Sequence, residues 1–313
     1  DSKSMAQLKK LAKSPATNVQ LAANRSLYLL GDSSVGPEIF ALAKAKDLFA
    51  ISVLASMPGS EDLLAELAAS DDLQVRLNAT LSLLSRKDPR AAPHLLTFLC
   101  RDSRDLGFQP QFSVGSSLRA WKVVPSIAHQ KDKQAMYDLS AISMNLREVM
   151  LKESLELPES VFLRLAAHIF ASRQNDLIPL LVSLLQNVQT PNAIALLQQQ
   201  ATKPGAPFIR TYCHLALYRL KQPGPHEHFL RDWMEHQKKS ELIRFRPMLT
   251  RDQKMSDAFD LTPEENSRLL IETYQAFAER NDARSIDTLI EVIKDGNPKN
   301  RPALAGLLLR AIQ

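Results

Sequence analysis

The chain has 313 residues, 45% of them hydrophobic, with only 9 glycines and abundant leucine, alanine, glutamine, lysine and arginine. That length exceeds one ordinary compact core, and that composition favours helix over strand. Its 39 basic and 34 acidic residues leave a formal charge of +5, too small an excess for a basic tail or a nucleic-acid footprint.

Taken in chain order, the first strong helical pattern is ATNVQLAANRSLYLLGD at residues 16–32, in which Gln20 precedes a small residue, Ala23, by three. PEIFALAKAK at 37–46 predicts a shorter apolar helix, and DLFAISVLASM at 47–57 a longer partner with Phe49 three before Ser52. EDLLAELAAS and DDLQVRLNATLSLL at 61–84 repeat that alternation, with Arg76 three before Ala79, and APHLLTFLCRD follows at 92–102. The anchors at 20, 49 and 76 are spaced by 29 and 27 residues, the length of one two-helix unit.

The pattern then lapses. Residues 103–126, SRDLGFQPQFSVGSSLRAWKVVPS, carry no helical period, and LRAWKVV predicts a short extended segment. KDKQAMYDLSAISMNLREVMLKESLEL at 131–157 predicts one long helix or two close ones. The repeat returns with PESVFLRLAAHIFASRQND (Arg164, Ala167), NDLIPLLVSLLQN, PNAIALLQQQ and APFIRTYCHLALYRL (Arg210, Cys213). A second irregular stretch, SELIRFRPMLTRDQKMSDAFDLTPE at 240–264, in which LIRFRPML predicts another short extended segment, precedes RSIDTLIEVIKDG and RPALAGLLLRAI. Asp, Asn or Pro opens most of these helices, as helix starts require.

The VRLNATLSL motif at 75–83 and its degenerate copies resemble the HEAT-like repeat family, including its short-repeat form related to bilin lyases. The resemblance covers about two thirds of the chain. It implies an all-α, right-handed α-solenoid of antiparallel helix pairs, an armadillo-like superhelix with two irregular insertions. It also implies that Ala23, Ser52, Ala79, Ala167 and Cys213 are close-approach positions, with the Arg76 head reaching past its helix toward a neighbour or solvent. The expected organisation is N-terminal repeats at 1–102, an insertion plus long helical segment at 103–157, central repeats at 158–239, and a second insertion with C-terminal helices at 240–313.

Catalytic signatures are weak. Cys100 and Cys213 lack disulfide or zinc spacing. Cys213 and His214 are adjacent on a helix and diverge by about 100°, so they do not form a nucleophile–base pair. GDSSVGPE at 31–38 has Pro37 and Glu38 where a phosphate loop needs Lys and Ser or Thr. His228, Asp232 and His236, with Glu235 beside them, share a helical face that could hold zinc or iron, against the plainer reading of a solvated polar face. Deoxyhypusine hydroxylase, a HEAT-like metalloenzyme, uses several His-Glu dipeptides, whereas this chain has one, at His226 and Glu227. HEAT-like DNA glycosylases hold a base with Trp, Asp and Arg; here only Trp121 and Trp233 are available, the latter beside Asp232.

The favoured site lies in the insertions: Arg101, Arg104, Arg119, Trp121 and Lys122, with a counterpart in Arg244, Phe245 and Arg246. Arg and Trp are enriched at binding hot spots, and irregular segments on a rigid scaffold commonly carry function. Residues 158–224 add a mild basic excess, six cations to two carboxylates, which favours an acidic partner. The expected function is therefore a non-catalytic scaffold or adaptor that binds a protein partner and needs no cofactor. A nucleic-acid binder or glycosylase-like enzyme is the alternative, and a His/Asp metalloenzyme a third. The uncharged run between Asp176 and Lys203 is broken by Pro179, Pro191 and several amides, so it predicts two soluble helices and no membrane span. The expected compartment is the cytoplasm; the lack of an initiator methionine leaves a removed signal peptide as an alternative.

Overall fold

A computed structural model of the protein describes residues 2–100, 106–112, 119–125, 146–240 and 263–311. These residues fall into two compact units, Asp1–Leu177 and Ile178–Gln313. The chain is all-α, apart from one two-stranded sheet among the described residues. The division between units lies inside the stretch 158–239.

In the first unit the helices are α1 (Ser2–Leu11), α2 (Thr17–Leu29), α3 (Gly36–Lys44), α4 (Leu48–Leu54), α5 (Glu61–Ala68), α6 (Leu73–Ser85), α7 (Ala92–Leu99), α8 (residues 146–153) and α9 (Glu159–Ala171). Three hairpins, α1/α2, α3/α4 and α5/α6, place their second helices side by side, α2 on α4 and α4 on α6. Each second helix begins at a break the sequence encodes. The Asp47 carboxylate accepts from the Ala50 N–H at 2.8 Å, and Asp72 accepts from Gln74 N–H at 2.8 Å. Burial of Leu21, Ile51, Leu54, Leu77 and Leu83 holds the row together, at about 1.5–3 kcal/mol per side chain.

Of the five small residues, Ala23, Ala79 and Cys213 are buried. Ser52 and Ala167 are half-buried, and in α9 the fully buried small residue is Ala166. Arg76 differs from expectation. Its Nε donates to the Ser70 carbonyl at 2.8 Å, capping the turn of its own hairpin, because the C-terminal carbonyls of α5 lie within reach and lack helical partners. Arg86 bridges hairpins instead, donating to the carbonyls of Ala55 (3.0 Å) and Met57 (3.2 Å) beyond α4 and pairing with Glu61.

Of the two predicted extended segments, LRAWKVV forms strand β2 (Arg119–Pro125), antiparallel to β1 (Leu106–Phe112), with Pro110 opposite Trp121 and Phe108 opposite Val123; LIRFRPML at 242–249 lies outside the described residues. The predicted helix through Leu157 ends at residue 153 and passes into a 3-10 turn at Ser154–Glu156; its portion 131–145 lies outside the described residues. Arg147 on α8 is 1% exposed, and it donates to the Leu99 carbonyl at 2.7 Å and to Gln174 Oε1 at 2.8 Å and pairs with Asp176. It ties the end of α7 to the turn after α9.

The second unit contains α10 (Ile178–Val188), α11 (Pro191–Thr202), α12 (Pro207–Arg219), α13 (His226–Gln237), α14 (Pro263–Arg280), α15 (Ala283–Asp295) and α16 (Arg301–Ala311). Helix α12 is its core element, buried from Phe208 through Tyr218 except at Arg210, and packed by α10, α11, α13 and α14. The uncharged run predicted as two helices is α10 and α11.

Candidate functional site

The face formed by α2, α4 and α6 carries the hairpin, and the way it does so follows from two periodicities. Gln74 and Asn78 stand one turn apart on α6, a rise of about 6.0 Å. Alternate residues of a strand stand about 6.6 Å apart, so two helix side chains can match two strand backbones. They do. Asn78 Nδ2 donates to the Trp121 carbonyl at 2.7 Å while its Oδ1 accepts from the Trp121 N–H at 2.8 Å. Gln74 Nε2 donates to the Val123 carbonyl at 2.8 Å and its Oε1 accepts from the Val123 N–H at 2.8 Å.

These amides replace a neighbouring strand along the outer edge of β2. Because Trp121 and Val123 direct their backbone groups toward α6, their partners Pro110 and Phe108 direct theirs away from β2. Pro110 therefore occupies the one class of position where a missing N–H breaks no ladder bond, and it removes a donor from the outer edge of β1. Phe108 packs edge-on against Phe98 of α7, with ring centroids 6.1 Å apart.

Docked in this way, β2 forms one wall of a cavity of about 510 Å³. Its other walls are Arg25 of α2, Ser52, Ala55 and Ser56 of α4, Asn78, Leu81, Ser82 and Ser85 of α6, and Leu146, Val149 and Glu153 of α8. Arg119 and Trp121 face it together, the guanidinium lying 4.9 Å above the indole ring. Arg25 has no carboxylate partner among the described residues. The Glu153 carboxyl is pushed up from its usual value by desolvation, with Arg119 pulling it down.

Of the eight site residues expected from sequence, Arg119 and Trp121 are brought together in this cavity. Lys122 is exposed on the same strand and is not part of the cavity wall. Arg101, Arg104, Arg244, Phe245 and Arg246 lie outside the described residues. Arg25, Glu153 and the Gln74/Asn78 pair were not singled out by sequence. Only the i, i+4 amide spacing could have pointed to the last.

The catalytic alternatives find these surroundings. His228 Nε2 sits 3.4 Å from Asp232 Oδ2 on the exposed face of α13, but His236 Nδ1 contacts the Asp232 backbone carbonyl, at 2.6 Å. Among the described residues no three His, Cys, Asp or Glu side chains converge as metal ligands. Both indoles are buried, Trp121 at 9% and Trp233 at 3% exposure, and the Trp121 face is covered by Arg119, so neither offers a free ring to an extruded base. The Cys213 thiol is fully enclosed, and burial pushes its pKa up.

A second polar group occupies the core of the other unit. His214 Nδ1 and His226 Nδ1 lie 2.9 Å apart, one ring donating to the other, with His214 stacked on Phe229 at 3.9 Å and Arg210 over the Phe229 ring. Burial, aided by His226 and Arg210, pushes His214 down to about 4, and burial also lowers His226.

The chain matches no family model, no curated protein and no solved structure. No described helix is long and apolar enough to cross a membrane.

Proposed function

We propose that the chain is a non-catalytic scaffold of HEAT-like repeats, its first unit a right-handed stack of helical hairpins, and that it binds a protein partner in the groove walled by α2, α4, α6, α8 and β2. The observation that carries this reading is the cavity itself, in which Arg119 and Trp121 on a fixed strand face Arg25 across the second helices of three consecutive hairpins. Arginine and tryptophan are enriched among the few residues that carry most of the binding energy at protein interfaces. Rigid mounting on α6 lowers the ordering entropy of the site. The two guanidiniums suit an acidic residue of an extended segment. Strand addition to the hairpin is a poorer mode, since β2 is already paired with Gln74 and Asn78 and β1 carries Pro110 at its outer edge.

A photo-crosslinking amino acid placed at Ser56, which is exposed in the groove, tests the proposal in native extract. Recovery of one recurring protein segment containing Asp or Glu, lost on Arg119→Ala, is the expected outcome. Crosslinks to nucleic acid, or a crosslink pattern unchanged by Arg119→Ala, would overturn it.

A further inference from the structure

We infer that the segment held in this groove is bipolar, presenting a carboxylate to Arg25 and Arg119 and, close beside it, a lysine or arginine head to Glu153 and the serine oxygens. The inference rests on the binding reading above and names the chemistry of what is bound.

Four serines line the cavity, and each has its hydroxyl hydrogen engaged elsewhere. Ser52 Oγ donates to the Leu48 carbonyl at 3.1 Å, Ser56 Oγ to Val53 at 2.9 Å, Ser82 Oγ to Ile51 at 3.1 Å and Ser85 Oγ to Ser82 at 3.0 Å. Their lone pairs remain, so toward the cavity they act as acceptors. Asn78 offers no further donor: its amide hydrogens go to the Gln74 and Trp121 carbonyls. Donors facing a ligand are therefore confined, among the described lining residues, to the Arg25 and Arg119 guanidiniums and the Trp121 indole. Acceptors are the four serine oxygens and the Glu153 carboxylate.

Such a wall discriminates by sign and by hydrogen-bond role. A uniformly acidic segment satisfies the arginines but sets its own oxygens against Glu153 and the serine lone pairs, contacts that repel. A uniformly basic segment satisfies Glu153 and meets two guanidiniums. A carboxylate next to an ammonium or guanidinium satisfies both sets. Desolvation raises the Glu153 carboxyl and Arg119 lowers it; a bound cation adds to the Arg119 effect and favours the ionised form.

The chain has two tryptophans, so Trp233→Phe leaves Trp121 as the sole indole reporter in the groove. Three capped dodecapeptides, Glu/Ala, Lys/Ala and Glu/Lys, the first and third with equal Glu content, are titrated against this protein by Trp121 emission and by anisotropy. The Glu/Lys peptide is expected to bind about tenfold more tightly than Glu/Ala, and Lys/Ala weakest. Glu153→Gln is expected to abolish that preference while leaving Glu/Ala binding intact, and Arg119→Ala to weaken both. Equal affinity for Glu/Ala and Glu/Lys, or equal weakening of both by Glu153→Gln, overturns the bipolar inference and leaves the binding reading standing. Failure of all three peptides to bind overturns both.

Discussion

Replacing Asn78 with leucine removes the attachment of β2 to α6 while keeping a side chain branched at Cγ. Asn78 is 1% exposed, and both of its contacts with the Trp121 backbone lie in the buried interior. Leucine leaves one N–H and one C=O unpaired there, each costing about 1–3 kcal/mol, so the loss is expected at about 2–6 kcal/mol. Gln74→Ala acts on a half-buried pair that water can partly satisfy, and is expected to cost about 1–2 kcal/mol. Urea unfolding in the Trp233→Phe background, followed by Trp121 emission, reads the first unit. Hydrogen exchange of the Trp121 N–H reads the attachment directly. An Asn78→Leu protein less than about 0.5 kcal/mol below the parent, with Trp121 N–H exchange unchanged, would refute the claim that these amides hold the strand.

Three further outcomes are expected. The folded His214 pKa of about 4 lies below its ordinary 6.5, so the unfolded chain binds the extra proton; stability of the second unit is intact above pH 6.5 and falls as pH drops toward 4, by about 3 kcal/mol in total. Unfolding curves across that range measure it, and a slope the same in His214→Phe would contradict the assignment. Arg147→Met strands the buried Leu99 carbonyl and leaves Asp176 to solvent, and should cost about 1–3 kcal/mol in thermal or urea unfolding; a loss below about 0.5 kcal/mol would show that the Arg147 contacts contribute little. Lys46, in the left-handed region at φ 67° after α3, should gain up to about 1 kcal/mol as Lys46→Gly, read by melting temperature, and a lower melting temperature would count against backbone strain there.

Several helices were legible because each is written twice, in its apolar period and in its opening residue, as at Asp47 and Asp72; Thr190 and Asp282 also cap, though they were not singled out by sequence. Helix ends were less so. With glycine scarce, Lys46, Lys87, Arg173, Gln189, Lys221 and Asn281 take the left-handed turn conformation after helices, and only backbone geometry reveals them. Helix α1 was missed because SKSMAQLKKL is mostly polar. Helix α14 was missed because its apolar residues begin just after an irregular stretch.

The same division holds at the site. Period, caps and breaks determined that the chain is helical, where the α3/α4 and α5/α6 hairpins lie, and that residues 119–125 are extended, since these depend on neighbours within a few positions. That Arg76 turns back while Arg86 crosses to α4, and that Gln74 and Asn78 stand in for a strand, was decided by tertiary structure. So was the meeting of Arg25, Arg119 and Glu153 around one cavity. These residues are separated by up to 128 positions along the chain, and a hydrogen bond or shared cavity between such distant residues has no periodic trace in sequence; it arises only when the packing of the helices fixes which backbone groups and side chains face one another.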